Sequence, residues 1–292
     1  MKLATFSTSD NDAQRLGVVR DGGVIDLTGA PGTPATMREL LAGGDAAMDA
    51  VRQAAESGAG ALSLDAVHLH APVTNPGKIL AIGLNYADHI EESGMAKPEV
   101  QVWFNKQVTC VNGPYDSINL PAVSSALDYE AELCVIIGKR CKHVPRERAA
   151  EVIGGFCCGN DVSVRDWQMA AMTMQIGKSF DTHGPMGPWL VTPDEVGDPH
   201  DLDIRCTVNG EQRQSSNTRH LIFDCYDGIA HLTKAFTLEV GDVLFMGTPA
   251  GVGAAMKPPS FMKAGDVVRV EIDGLGHLEN RIAAEGAECG IG

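Results

Sequence analysis

The chain has no Cys-x-x-Cys pair, no apolar run of membrane-spanning length and no excess of positive charge. Each absence removes a class of protein. Without paired-cysteine spacing, a zinc ribbon is not expected. Without about 20 consecutive apolar residues, no transmembrane helix is predicted. The opening Met1-Lys2-Leu3-Ala4-Thr5-Phe6-Ser7 lacks a signal-peptide layout. A formal charge of −15, from 38 acidic against 23 basic residues, argues against non-specific nucleic-acid binding and against an anionic membrane surface. A small anionic substrate stays open, because the field at a metal site overrides net charge. Internal repeats and low-complexity segments are also missing.

What is present fits an ordinary globular protein. At 292 residues, 44% apolar and 21% charged, the chain is long enough for a large core, or for a main domain with a smaller attachment. Cys134, Cys157, Cys158 and Cys206 lie in apolar, strand-like runs, where free cysteine behaves as a small hydrophobe. A reducing compartment, the cytoplasm, is expected.

Short strands are predicted at Leu3 to Ser7, Leu16 to Arg20 and Gly23 to Leu27, with an Asp21-Gly22 turn between the last two. Met37 to Ala55 has helical periodicity broken at Gly43-Gly44. Asn75-Pro76-Gly77 marks a boundary between a small amino-terminal α+β domain, 1–74, and a main domain, 75–292. Further on, Ile79 to Ile82, Val102 to Lys106, Tyr129 to Ile137 and Gly155 to Val162 read as strands. Ala87 to Ser93 reads as a short helix capped by Asn85. Arg146 to Ile153 and Leu221 to Phe236 read as helices. Ile204 to Asn209 opens one hairpin, and Asp266 to Ile282 forms another. Strands outnumber helices without strict alternation. The fold class is therefore α+β, a mixed-sheet roll or sandwich with peripheral helices.

Chemistry concentrates at Asp128-Tyr129-Glu130-Ala131-Glu132-Leu133. Glu130 and Glu132 are two apart in a strand, so they face the same way. Paired carboxylates on a semi-buried sheet repel each other, and a cation relieves that. Asp161, just past a second apolar strand, is the best third ligand. An all-carboxylate set favours magnesium or manganese, with calcium as a third candidate. The competing reading is an exposed edge strand. On the helix, His89 and Glu92 are i and i+3, able to touch as a general base and its orienting acid, or simply a solvated pair. Arg165 and Gln168 share a face and suit a carboxylate and a carbonyl, or a surface ion pair. Lys178, between Gly177 and Ser179, is placed to sit near an oxyanion. Thr248 offers a hydroxyl on the Gly247-Thr248-Pro249 turn.

Five strings in order carry a resemblance: GLNYADHIEE at 83–92, DYEAEL at 128–133, GNDVSVRDWQ at 159–168, GKSFDTHGPMGPW at 177–189 and GTPAGVG at 247–253. Together they closely resemble the fumarylacetoacetate hydrolase superfamily over nearly all of Lys78 to Ile282. The resemblance implies a sandwich-roll catalytic domain, a homodimer and a magnesium or manganese ion. By position, Glu130, Glu132 and Asp161 match the metal ligands and His89 and Glu92 match a dyad on a mobile lid. Lys178 matches the lysine beside the metal, and Arg165, Gln168 and Thr248 match substrate contacts. Some members add an acidic ligand upstream of the lid. No clear equivalent stands here, so three protein ligands are expected. The implied activity is C–C hydrolysis of a 2,4-dioxo acid, an acylpyruvate such as fumarylpyruvate or maleylpyruvate, releasing pyruvate and a second acid. Oxaloacetate decarboxylase or tautomerase, a hydroxymuconate-type isomerase/decarboxylase and a sugar-acid dioxo hydrolase are alternatives. So is a non-catalytic dicarboxylate-binding protein, which would need neither His89 nor Lys178.

Overall fold

A computed structural model describes residues 1–57, 61–94 and 96–286. The acidic strand, Ala131–Ile137, is an interior strand and not an edge. It pairs antiparallel with Ile153–Asn160 on one side and Val243–Phe245 on the other. Beyond Val243–Phe245 come Ile79–Gly83, parallel to it, and then Val102–Lys106. In the other direction the sheet runs through Gly184–Val191, Lys2–Thr8, Asn11–Arg20, Gly23–Asp26 and Leu62–Ser63. A second sheet orders Glu211–Asn217, Asp203–Val208, Val267–Ile272, Gly276–Ala284 and Ile118–Leu120. The mixed α+β class expected from the strand-rich pattern is the one observed.

Strand alternation divides the core. Leu133 and Val135 pack with Ile204, Val268 and Val270 of the second sheet. Cys134 and Ile136 point to the opposite face, toward Leu40, Leu41 and Val51 of the amino-terminal helices. Those helices, Met37–Ala42 and Gly44–Ser57, break where the glycines predicted. Thr36 and Glu39 form a capping box at the first. Residues 1–74 share this core and the large sheet with the rest of the chain, since Lys2 and Leu3 pair with Val191 and Leu190. No helix among the described residues is long and apolar enough to cross a membrane. The seven cysteines among the described residues are free and buried.

Three local expectations change. The helix predicted at Arg146 to Ile153 is a 3-10 helix, Arg146–Val152. The next one starts only at Cys225, because Asp224 and Asp227 form its capping box. Asn85 does not cap the helix Ala87–Ser93, whose N-cap is Tyr86 without a side-chain bond. The Asn85 amide is fully buried and donates to Phe223 O and Met246 O, while its oxygen accepts Phe223 N–H. It ties the base of the helix to two crossing segments, which a cap would leave loose.

Gly159 lies opposite Glu132 in register. A Cβ there would stand 2.3 Å from Cys134 Sγ and 2.7 Å from Phe245 Cε1. Gly159→Ala is therefore expected to destabilise the fold by about 1–3 kcal/mol. Urea unfolding measures it; a midpoint equal to the parent's would show that the strands tolerate the methyl group.

Candidate metal centre

Glu130, Glu132 and Asp161 converge, with one oxygen of each within 4.8 Å of the others. All three are buried. Backbone pairing brings them together. Asp161 N–H donates to Glu130 O at 2.9 Å, and Glu130 N–H donates to Asn160 Oδ1 at 2.9 Å. Glu130 precedes the regular strand yet keeps its alternation, so it faces the same way as Glu132.

Three cations answer these acids. Lys178 Nζ lies 2.7 Å from Glu130 Oε2 and 2.9 Å from Asp161 Oδ2. Arg165 Nη1 lies 2.6 Å from Glu130 Oε1, and its Nε lies 2.8 Å from Asp128 Oδ2. Lys106 Nζ lies 2.6 Å from Asp161 Oδ1 and also donates to the Lys178 carbonyl. Burial pushes the Glu130 pKa up, but Lys178 and Arg165 outweigh it and bring it down to about 2. Glu132 behaves in the opposite way. Burial, then Asp161 and Glu130, push its pKa well above the usual carboxylate range. Its carboxylate accepts the Gly247 N–H at 2.6 Å, and it forms no ion pair among those found for the described residues.

The residues fit a divalent cation. Counting Asp128, four carboxylates face three cations, and Glu132 carries the unbalanced charge. A cation among the three oxygens would favour the ionised form of Glu132. Three hard oxygen donors suit magnesium or manganese.

The remaining candidates surround this cluster. Gln168 Oε1 accepts Arg165 Nη1 at 2.9 Å. Thr248 follows Gly247 directly, and its hydroxyl accepts Gln214 Nε2 at 2.8 Å. His89 Nδ1 is 3.5 Å from Glu92 Oε2, but the geometry is not a hydrogen bond and Nδ1 has no such partner. Both Glu92 oxygens accept Gly251 N–H at 3.0 Å. Asp88 accepts the Ser216 hydroxyl at 2.9 Å. The helix thus closes onto the 247–253 turn. Gly251 permits that turn: its φ is +105°, and a Cβ would stand 2.0 Å from Arg213 O.

Two site residues escaped the sequence reading. Asp128 accepts N–H groups from Gly253 and Ala254 besides pairing with Arg165. It continues the i, i+2 series of Glu130 and Glu132, which was the available signal. Lys106 follows Val102 and Phe104 at two-residue spacing in an apolar strand. A lysine on the inward face of such a strand needs a buried acid.

A buried carboxylate centre beneath a His-x-x-Glu helix, beside the large mixed sheet, is an arrangement that can hold a divalent cation. The family model described as "Fumarylacetoacetate (FAA) hydrolase C-terminal" matches residues 78–283, and the chain belongs to this family. It is 45% identical over 287 residues to "Oxaloacetate tautomerase fahd2, mitochondrial" of Xenopus laevis, covering 97% of this chain and 90% of that protein. Its fold matches a fumarylacetoacetate hydrolase from Exiguobacterium antarcticum with a TM-score of 0.86 and 37% identity, covering 98% of this chain and 100% of the other. It also matches maleylpyruvate hydrolase from Sphingobium sp. SYK-6 in complex with manganese(II) and pyruvate, with a TM-score of 0.83 and 33% identity, over 98% and 100% of the chains.

Manganese or magnesium binding is expected to release protons and to tighten as pH rises, because burial and the neighbouring acids favour the protonated form of Glu132 whereas a cation favours the ionised one. The linked stability has a definite sign. With its folded pKa raised, Glu132 favours the cation-free fold below its unfolded value, and that contribution is lost as pH rises through the folded one. Calorimetry in buffers of differing ionisation enthalpy counts the protons; no release near neutral pH would remove Glu132 as their source.

Proposed function

We propose that this protein is a divalent-cation-dependent tautomerase of oxaloacetate or a closely similar 2-keto dicarboxylate, interconverting its enol and keto forms. The observation that carries this reading is the 45% identity to an oxaloacetate tautomerase across 97% of the chain. It displaces acylpyruvate hydrolysis as the first choice.

A magnesium or manganese ion held by Glu130, Glu132 and Asp161 would supply Lewis acidity toward the 2-keto acid end of the substrate. The chain's residues do the rest. The Lys178 ammonium, fixed by two carboxylates, faces the oxygen that gains charge as the enolate forms. Arg165 has a buried Nη2 without a hydrogen-bond partner, and with Gln168 it holds a substrate carboxylate. Thr248 contributes its hydroxyl on the turn beside Glu132. His89 moves the proton at C3, and Glu92, latched to Gly251, sets the position of the lid over the site.

A second reading, acylpyruvate hydrolysis, keeps support from the maleylpyruvate hydrolase likeness, and it would need Glu92 to close its 3.5 Å separation from His89 Nδ1 into a hydrogen bond. One assay separates the two. Enol absorbance of oxaloacetate is followed alongside pyruvate release, and maleylpyruvate and fumarylpyruvate are run in parallel. Enol loss without pyruvate is expected for oxaloacetate, abolished by a chelator. Fast metal-dependent cleavage of an acylpyruvate, with no acceleration of the oxaloacetate enol, would reverse the choice. His89→Ala is expected to lower kcat by about 10²–10⁴-fold while manganese affinity stays close to the parent's. An unaltered kcat would take His89 out of the proton path.

A further inference from the structure

The ladder between the acidic strand and Val243–Phe245 stops beside the centre. Cys134 faces Phe245 in register, and Met246 N–H still donates to Leu133 O at 3.0 Å. Continued in that register, the ladder would set Thr248 opposite Ala131. The chain turns away instead at Gly247, where φ is +93°. One side chain takes the place of the lost backbone bonds. Gln214, on the edge strand Glu211–Asn217 of the second sheet, is 1% exposed. Its Oε1 accepts the Ala131 N–H at 3.0 Å. Its Nε2 donates to Thr248 Oγ1 and to Pro249 O, each at 2.8 Å.

These partners fix which way the amide points. A backbone N–H can only donate and a backbone carbonyl can only accept, so the amide oxygen faces Ala131 and the nitrogen faces Pro249. Both N–H bonds of the amide are then occupied, one of them on Thr248. A hydroxyl that accepts from an amide keeps its own proton for another partner. That proton has no acceptor among the described residues. Thr248 is 5% exposed and follows Gly247, whose N–H holds Glu132. We propose that Gln214 sets Thr248 as a hydrogen-bond donor to a substrate oxygen beside Glu132. A donor fixed in this way favours an ionised oxygen, carboxylate or enolate, at that position. The proposal rests on the keto-acid reading of the site. Gln214 touches no substrate in this role; it is a positioning residue acting through Thr248.

Oxalate, with two adjacent ionised carboxylates, serves as the probe. Its dissociation constant is measured by calorimetry at saturating manganese on the parent, Gln214→Met, Thr248→Val and the double variant, with circular dichroism as the check on folding. Loss of a hydrogen bond to an ionised oxygen is expected to raise the constant about tenfold or more in Thr248→Val and about fivefold in Gln214→Met. The double variant is expected to match Thr248→Val within about twofold, because Gln214 acts only through that hydroxyl. The manganese constant is expected to stay at the parent's value throughout. Losses that multiply in the double variant overturn the proposal, as does a folded Gln214→Met that binds oxalate like the parent. So does manganese affinity that falls in step with oxalate affinity in Gln214→Met, since Gln214 would then serve the ligand strand through Ala131. If Gln214→Met does not fold, the crystal structure of the parent with manganese and oxalate decides. Thr248 Oγ1 within hydrogen-bond distance of an oxalate oxygen supports the proposal, and Thr248 out of reach of oxalate overturns it. A parent that binds manganese but no oxalate brings down the keto-acid reading itself, whereas multiplying losses remove the Gln214 role alone.

Discussion

The Lys178 ammonium, shared between Glu130 and Asp161 at 2.7 and 2.9 Å, is the contact on which the centre depends. It ties a residue beside one strand to a residue at the end of the next, and it does so in the protein interior. Buried charges of this kind are costly to desolvate, and removing one partner typically destabilises by about 3–5 kcal/mol because its counterion is left alone. Lys106 and Arg165 extend the arrangement outward, so each acid except Glu132 is answered by a basic side chain. The sheet serves this network. Ala131–Ile137 is wholly buried, and its neighbours on both sides fix its register. Glu130 and Glu132 therefore cannot rotate toward solvent and relax their repulsion.

The lid is held by a different kind of bond. Asn85 grips two crossing segments at its base, Asp88 takes Ser216, and Glu92 takes the Gly251 N–H. The first of these is buried and the last is exposed. Exposed hydrogen bonds open at low cost, whereas buried ones open with the fold. The helix is thus held firmly at Asn85 and more weakly at Glu92, with His89 between the two anchors.

Much of this was legible in the sequence because it follows two-residue alternation. Glu130 and Glu132 announce a shared face, and the apolar residues around them announce burial. The same alternation reaches Asp128 and, on another strand, Lys106. Those two stand out only by their parity with Glu130 and with Phe104, which a charge taken singly does not reveal. Other features have no local signature. Asn85 looks like a cap, and only the return of 223 and 246 to its side makes it a clamp. The turn at 75–77 reads as a boundary, yet Lys2–Thr8 comes back to pair with Gly184–Val191. Long-range strand pairing of that kind leaves no trace in a local window. The helix at 146–153 tightened to 3-10 for a reason that spacing does not carry.

Tautomerisation and C–C hydrolysis share the build-up of charge on an enolate oxygen, and under either reading proposed above Lys178 would face that charge. They part at the lid. Hydrolysis needs a water deprotonated by His89, with Glu92 bonded to Nδ1 to stabilise the imidazolium. Tautomerisation needs a proton moved between the enol oxygen and carbon, and no water at all. Here Glu92 gives both oxygens to Gly251 N–H, and His89 Nδ1 has no hydrogen-bond partner. The two reactions therefore differ in what they ask of the His89–Glu92 contact, which stands at 3.5 Å here, and not in what they ask of the carboxylates.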